Sequence, residues 1–312
     1  VERRNGGFAV NIEGGDAIEA GSIVVSSGVQ NVPRLPAIAA AMPSSLLQLP
    51  ALEYKRPGDL PPGAVLVVGA GQTGGQVTED LLKDGREVYW SVSAVARVPR
   101  RYRGRDILEW LVDAGFYEAP LESVADPAEL TATMPIISGV GRYGHTLSLQ
   151  WLAGKGANLV GRITDVNGTV LELDDSVEAC LRFADQRSAE VRDMIDKGIG
   201  ETGMELLPSE PDEADEPFDG YDSLSTPARL DLAAAGISTV VWATGVAGDF
   251  RYLPEGTTSA DGRPAHDHGA SAVPGIDYIG LPWLTRRGSG IINGIARDAA
   301  YAADRVMVRT RG

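Results

Sequence analysis

The chain has 312 residues, 43% apolar and 23% charged, a composition suited to a folded core and a length that allows two domains of ordinary size. A formal charge of −15 argues against nucleic acid or an anionic membrane as partner, because either would need clustered cations. No apolar run approaches bilayer-crossing length, and the single cysteine, Cys180, excludes an internal disulfide, a Cys-x-x-Cys redox pair and a thiolate metal cluster.

The expectation is a cytoplasmic protein without membrane insertion. No metal is expected: His266 and His268 have His-x-His spacing but sit in a Gly/Asp-rich turn without a supporting cluster, which reads as a surface loop. Val1 leads without a signal pattern into alternating Phe8-Ala-Val-Asn-Ile12, as if the chain were entered partway through a domain. Phe8–Ile12 and Ala17–Glu19 around Gly14-Gly15 predict a hairpin, and Ser22–Gly28 a buried strand ending in glycine. Residues 43–63 hold five prolines and form a crossing segment.

The stretch from Ala64 carries the strongest signal. A buried strand (Ala64–Val68), a glycine turn (Gly69-Ala-Gly71-Gln72-Thr73-Gly74), a helix to about Asp84 stopped by Gly85, and a strand Glu87–Trp90 make a β-α-β unit. Gly69 allows the tight turn, Gly71 lets backbone approach a pyrophosphate, and Gly74 lets helix pack on strand. The first helical N–H groups and the dipole then face the anion. Two further G-x-G-x-x-G matches, at 139–144 and 198–203, lack a feeding strand and read as loops in a chain with 38 glycines.

A NAD-specific unit usually places Asp or Glu about twenty residues past the glycines. Here that position offers Ser91 and Ser93, followed by Arg97, Arg100, Arg101, Arg103 and Arg105. A 2′-phosphate would be held by such guanidinium forks, so NADP is favoured over NAD; a solvated basic loop is the alternative. Ile107–Val112 reads as helical, Asn158–Asp165 and Thr169–Leu173 as a hairpin about Asn167-Gly168, and about 175–197 as a helix. The acidic run Ser209–Asp219 reads as a solvated linker or loop. Leu230–Gly236 predicts a short helix feeding the strand Ser238–Trp242 and its Ala-Thr-Gly turn. A last helix, about 293–307, carries Ile292, Ile295, Ala299, Ala302 and Val306 as its buried stripe.

Together, Val65–Gly75, Pro99–Asp106 with Trp110 and Gly115-Phe-Tyr117, Ile237–Gly245 and Gly280–Leu284 resemble the flavin-containing monooxygenase-like oxidoreductases, and within them the bacterial branch described as flavoproteins involved in potassium transport. The resemblance covers nearly the whole chain. It implies an α/β fold with two Rossmann-like dinucleotide-binding domains: an NADP domain (62–244) inserted in a discontinuous FAD domain (1–61 and 245–312) whose N-terminal lobe is missing. The family's opening FAD fingerprint is absent here, its His-Ser-x-x-Tyr segment reads Pro50-Ala-Leu-Glu-Tyr54, and its first Ala-Thr-Gly reads Ser26-Ser27-Gly28.

Carried over by residue, the resemblance implies that Gly69, Gly71, Gln72, Thr73 and Gly74 hold the NADP pyrophosphate. Ser91, Arg97, Arg100 and Arg101 become candidates for the 2′-phosphate. Thr244 and Gly245 line a passage between nucleotide domains, and Gly280, Pro282, Trp283 and Leu284 lie against the flavin of FAD. The implied activity is hydride transfer from NADPH to FAD, then oxygenation of a small organic substrate with O2 through a C4a-(hydro)peroxyflavin. No side chain has an evident acid, base or nucleophile role. The alternatives are an NADPH-dependent flavin reductase or oxidase and an NADP(H)-sensing regulatory protein. A flavin disulfide reductase is weaker, given one cysteine, and a homo-oligomer is left open.

Overall fold

The structure, a computed structural model, describes residues 1–130, 135–139, 144–202 and 207–311. It has two compact units, one of Val1–Val32, Gly115–Ala132 and Val246–Gly312, the other of Pro33–Ala114 and Thr133–Gly245.

The larger unit is built on a five-stranded, all-parallel sheet in the order Ala157–Val160, Val88–Ser91, Ala64–Val68, Ile237–Trp242, Leu47–Pro50. Its helices are α1 (Gln72–Lys83), α2 (Ile107–Asp113), α3 (Leu149–Gly154) and α4 (Val177–Thr202). A strand covered on both faces must be apolar at consecutive positions, which explains the unbroken Ala-Val-Leu-Val-Val run. Val65, Val67, Val88 and Trp90 pack with Val77 and Leu81 of α1, Leu149 and Leu152 of α3, and Val177 and Leu181 of α4. Ala64, Leu66, Val240 and Trp242 instead meet Leu171, Leu173, Leu230 and Leu232. Leu171, Leu173 and Leu230 belong to a three-stranded antiparallel sheet, Ile163–Asn167, Val170–Leu173 and Arg229–Asp231, and Leu232 opens the turn that follows it. Each fully buried aliphatic side chain contributes about 2 kcal/mol to holding these layers. Cys180 packs in the first cluster and burial pushes its thiol up, so its role is core packing.

Several expectations change here. Asn158–Asp165 is not one hairpin arm, because Ala157–Val160 joins the parallel sheet and only Ile163–Asn167 turns back through Gly168. Leu230–Gly236 forms a strand and a turn rather than a helix: Leu230 and Leu232 are buried on either side of exposed Asp231, which is strand periodicity. α4 continues through Gly198 and Gly200, because Ile195 and Ile199 are buried with Tyr102, Ile107 and Trp110. That packing offsets about 1 kcal/mol per helical glycine. The other expected glycine loop is only partly covered, since 140–143 and 203 lie outside the described residues.

The acidic run is not simply solvated. Asp215 is 4% exposed and Arg97 is wholly buried. Arg97 Nη1 lies 2.7 Å from Asp185 and its Nε 3.1 Å from Asp215, while its Nη2 donates to the Asp215 carbonyl at 2.9 Å. Burial pushes the Asp215 carboxyl up, against the opposing effects of Ser188, Arg97 and Arg192.

The smaller unit has an antiparallel sheet of Glu2–Arg4, Gly7–Val10 and Ile18–Ala20, including the expected first hairpin. A second, mixed sheet runs His266–Asp267, Ala270–Ser271, Ile276–Tyr278, Ile23–Val25, with the last pair parallel. Phe8, Val25, Phe250, Tyr278, Leu281 and Leu284 share its core. Helix α5 (Ile295–Arg311) keeps Ala302 of the expected stripe buried and Ile295, Ala299 and Val306 half-buried, but Ile292 precedes the helix and is 95% exposed, and Asp298 is buried as well. The reason is polar. Thr285 Oγ1 donates to Asp298 at 2.6 Å, and Arg305 and Arg309 both pair with the fully buried Asp277.

The units divide at 245/246, one residue from the expected 244/245, but at 32/33 rather than the expected 61/62. Leu47–Pro50 pairs in register with Thr239–Trp242, which brings residues 33–61 into the larger unit. Residues 115–132 go with the smaller unit, where Pro120 bridges Arg286 and Glu118 pairs with it.

Arg97→Met leaves two carboxylates without their buried cation and is expected to destabilise the fold by about 3–5 kcal/mol at pH 7 in urea titration. Burial already pushes the Asp215 carboxyl up and the loss of Arg97 would push it further, so the variant's deficit should shrink as pH falls and that carboxyl takes up its proton. A loss within about 0.5 kcal/mol would mean that Arg97 carries no structural role.

Candidate functional site

In the parallel sheet the chain leaves Ala64–Val68 through α1 toward Val88–Ser91, while Ile237–Trp242 lies on the opposite side. Strand order reverses between these two central strands, and ligands of open α/β sheets bind outside the carboxyl ends at such a point. Gly69 and Ala243–Gly245 leave the sheet there.

Each glycine of the turn meets a different demand. Gly69 has φ +116°, and a Cβ on it would collide with the Ala243 carbonyl. On Gly74 a Cβ would overlap the Gly69 carbonyl oxygen. Both are required by the protein's own packing. Gly71 is not: its φ is −69°, and an added Cβ would lie 3.7 Å from Pro135 Cβ, an ordinary contact. The turn is held from beneath, where Gly69 N–H donates to the Ser91 carbonyl and Trp90 Nε1 to the Gly69 carbonyl, each at 2.9 Å.

α1 begins at Gln72 with Gly71 as its N-cap and no side-chain cap. A helix leaves its first N–H groups without intrahelical acceptors, here those of Gln72, Thr73 and Gly74, and adds about half a positive charge. The Gln72 side chain itself is engaged. Its Oε1 accepts from Ser138 N–H at 2.9 Å and its Nε2 donates to the Gly139 carbonyl at 3.2 Å. Thr73 is exposed. Neither Ser138 nor Pro135 was legible as a wall of this turn, since both come more than sixty residues later. Thr244 Oγ1 donates to the Arg34 carbonyl at 2.5 Å, and Gly245, exposed at φ +95°, accepts from Arg34 N–H at 3.0 Å.

The expected 2′-phosphate residues separate. Ser91 is buried with its hydroxyl donating to the Gly161 carbonyl at 2.9 Å, and Arg97 is committed to Asp185 and Asp215. Both expectations are corrected by burial. Arg100 is half-buried, paired with Asp106 at 2.6 Å, and its Nε has no partner among the described residues. Arg101 is half-buried, donates to the Gly104 carbonyl at 2.7 Å, and has no carboxylate partner among them.

In the smaller unit Gly280 turns at φ +71° and Pro282 is exposed. Trp283 is half-buried in the left-handed region at φ +56°, a conformation that costs a side-chain-bearing residue about 1–2 kcal/mol. Leu284 is wholly buried in the core, which corrects its expected place against a ligand. His268 contacts Glu122 at 2.8 Å and Asp267 at 2.6 Å, and these carboxylates raise its pKa; burial lowers that of His266.

Residues 2–104 match the family model described as L-lysine 6-monooxygenase/L-ornithine 5-monooxygenase. A CzcO-like oxidoreductase of Geobacillus kaustophilus is 25% identical over 302 residues, covering 96% of this chain and 68% of that protein. Over most of its length the chain is therefore similar to oxidoreductases of the CzcO type. The oxidoreductase CzcO of Bacillus subtilis is 24% identical over 282 residues, covering 90% of this chain. The chain spans 63–68% of the length of these curated relatives. A flavin-containing monooxygenase from Stenotrophomonas maltophilia shares the mixed α/β fold at TM-score 0.55 and 14% identity, covering 98% of this chain and 68% of that one. Among the described residues no helix is long and apolar enough to cross a membrane.

Gly74→Ala is expected to lower the melting temperature by several degrees, since overpacking costs about 1–3 kcal/mol, whereas Gly71→Ala should leave it nearly unchanged. Equal losses in thermal melts would show that Gly71 too is structural. For the histidines the pH effects are opposed. Stability from His268 is present below its unfolded pKa and disappears as pH rises through the raised folded value. His266 costs stability as pH falls below about 6.5, because only the unfolded chain then takes up its proton. An NMR titration should place His268 above His266; the reverse order would refute the assigned contacts.

Proposed function

We propose that the larger unit binds NADPH at Gly69–Gly74 and that the protein is an NADPH-dependent flavoprotein oxidoreductase, a monooxygenase that uses O2 on a small organic substrate. One observation carries the reading: Gly69 and Gly74 are demanded by packing, while Gly71, at an uncapped helix start, could carry a Cβ at ordinary contact distance. An absent side chain with no internal reason, beside free N–H donors at the sheet's switch point, fits a pyrophosphate.

The Gln72, Thr73 and Gly74 N–H groups would bind the pyrophosphate, with the Gln72 side chain fixing the Ser138–Gly139 wall. Arg101, free of carboxylates among the described residues, and Arg100 would hold the 2′-phosphate. Thr244 and Gly245 would orient the nicotinamide end. In the smaller unit, Gly280, Pro282 and Trp283 fit one wall of a flavin site, because Pro282 is exposed and Trp283 is held at positive φ. A bound flavin supplies hydride acceptance and oxygen activation, while the chain's own residues bind, orient and exclude water. Dithiol chemistry has no second sulfur here, and the lone buried Cys180 suits a reducing, cytoplasmic setting.

Arg100→Glu with Arg101→Glu should weaken NADPH binding by about tenfold or more in calorimetry, with NADH affected far less, since a charge-assisted fork is lost only for the phosphorylated ribose. Equal losses for both nucleotides would reject the phosphate assignment. In the flavin-loaded protein, NADPH oxidation that releases one H2O2 per NADPH under every candidate substrate would assign a reductase or oxidase instead. Substrate-dependent loss of H2O2 would support oxygen transfer.

A further inference from the structure

Two neighbouring arginines of the smaller unit are used differently. Arg286 is buried, pairs with Glu118 and donates to the Gly294 carbonyl at 3.0 Å, so it ties the loop before α5 to the segment at 118. Arg287 is half-buried and has no carboxylate within ion-pair distance among the described residues. Its guanidinium carbon lies 4.3 Å from the Phe116 ring centroid and 5.2 Å from that of Trp283. Its only side-chain hydrogen bond among them is a long one, 3.4 Å from Nη1 to the Phe116 carbonyl. The other arginines that stack on rings, Arg103, Arg105, Arg182 and Arg187, each have a carboxylate partner.

In a chain with 43 acidic and 28 basic residues, an arginine held by aromatic rings yet left without an acid is poised for an anion from outside. The rings occupy the guanidinium faces and remove much of its rotational freedom, so its in-plane N–H edge stays available. The local backbone supports that placement. The Arg287 N–H donates to the Ala119 carbonyl at 2.9 Å, a Cβ on Gly288 would press within 2.9 Å of the Tyr117 carbonyl oxygen, and Trp283 is held in left-handed backbone. Shortly after Arg287 come Ile291 and Ile292, apolar side chains 38% and 95% exposed.

From these placements we infer that Arg287 is a substrate-recognition residue, binding the carboxylate of a small organic acid whose apolar part lies along Ile291 and Ile292. The inference rests on the reading of Trp283 as part of the flavin-site wall, and it narrows the substrate class to carboxylates. A planar carboxylate matches the guanidinium edge two oxygens to two N–H groups.

Calorimetry with hexanoate, and with hexanol as the uncharged probe of equal chain length, tests it. Hexanoate should bind the wild-type protein, and Arg287→Met should weaken it at least about tenfold while leaving the weak hexanol signal unchanged. Arg287→Lys keeps the charge without the planar fork and should recover only part of the affinity. Circular dichroism melts of both variants identify any loss caused by misfolding, and Ile292→Ser, at a nearly fully exposed position, should weaken hexanoate without lowering the melting temperature. Hexanoate affinity that is absent in the wild type, or unchanged in Arg287→Met, overturns the inference. NADPH affinity, measured on the same samples, separates this failure from failure of the nucleotide site in the larger unit.

Discussion

The larger unit depends on a contact only glycine permits: the start of α1 lies against the carbonyl of Gly69, and Gly69 in turn lies against the carbonyl of Ala243. Two backbone approaches, one between helix and turn and one between neighbouring strand ends, meet in a few residues. They bring the first turn of α1 to the carboxyl edge of the sheet, where its N–H groups lack intrahelical acceptors and a side-chain cap, an arrangement that suits an anion. Gly71 stands between them, and a Cβ there would make only ordinary contacts, so the fold's own packing does not demand a glycine at that position.

Charge is managed with comparable economy. The chain is strongly acidic, and most of the arginines that a sequence reader would assign to phosphate have carboxylate partners in the fold. Arg97 is enclosed with Asp185 and Asp215, Arg100 meets Asp106, and Arg103 meets Asp196. Removing a guanidinium from water is expensive and it keeps its charge, so a buried one is placed among carboxylates. Arg101 and Arg287 differ in lacking such partners among the described residues, and it is this lack, rather than a basic sequence context, on which their proposed roles rest.

The smaller unit shows the same rule in reverse. Beside the apolar stripe of its C-terminal helix lies buried Asp298, satisfied by Thr285, while Arg305 and Arg309 of the same helix reach the buried Asp277. A polar face can pack when each donor finds an acceptor, which helical periodicity of apolar residues does not register. Ile292, freed from that stripe, lies in the preceding turn, exposed beside Ile291.

The sequence alone determined the strand–glycine–helix unit, the Asn167-Gly168 hairpin and the first hairpin, because each rests on interactions within a few residues: a φ only glycine reaches, a two-residue reversal, an alternation of apolar side chains. It also determined that α1 stops at Gly85, which turns at φ +80°. Tertiary structure decided what depends on residues far apart in the chain. The Leu47–Pro50 edge strand needed Ile237–Trp242 to pair with, the continuation of α4 through two glycines needed Trp110, and the fate of Arg97 needed Asp215, 118 residues away. Local conformational preference is worth about 1 kcal/mol per residue, whereas burying a side chain or breaking a buried ion pair is worth several, so where they conflicted the distant partner prevailed.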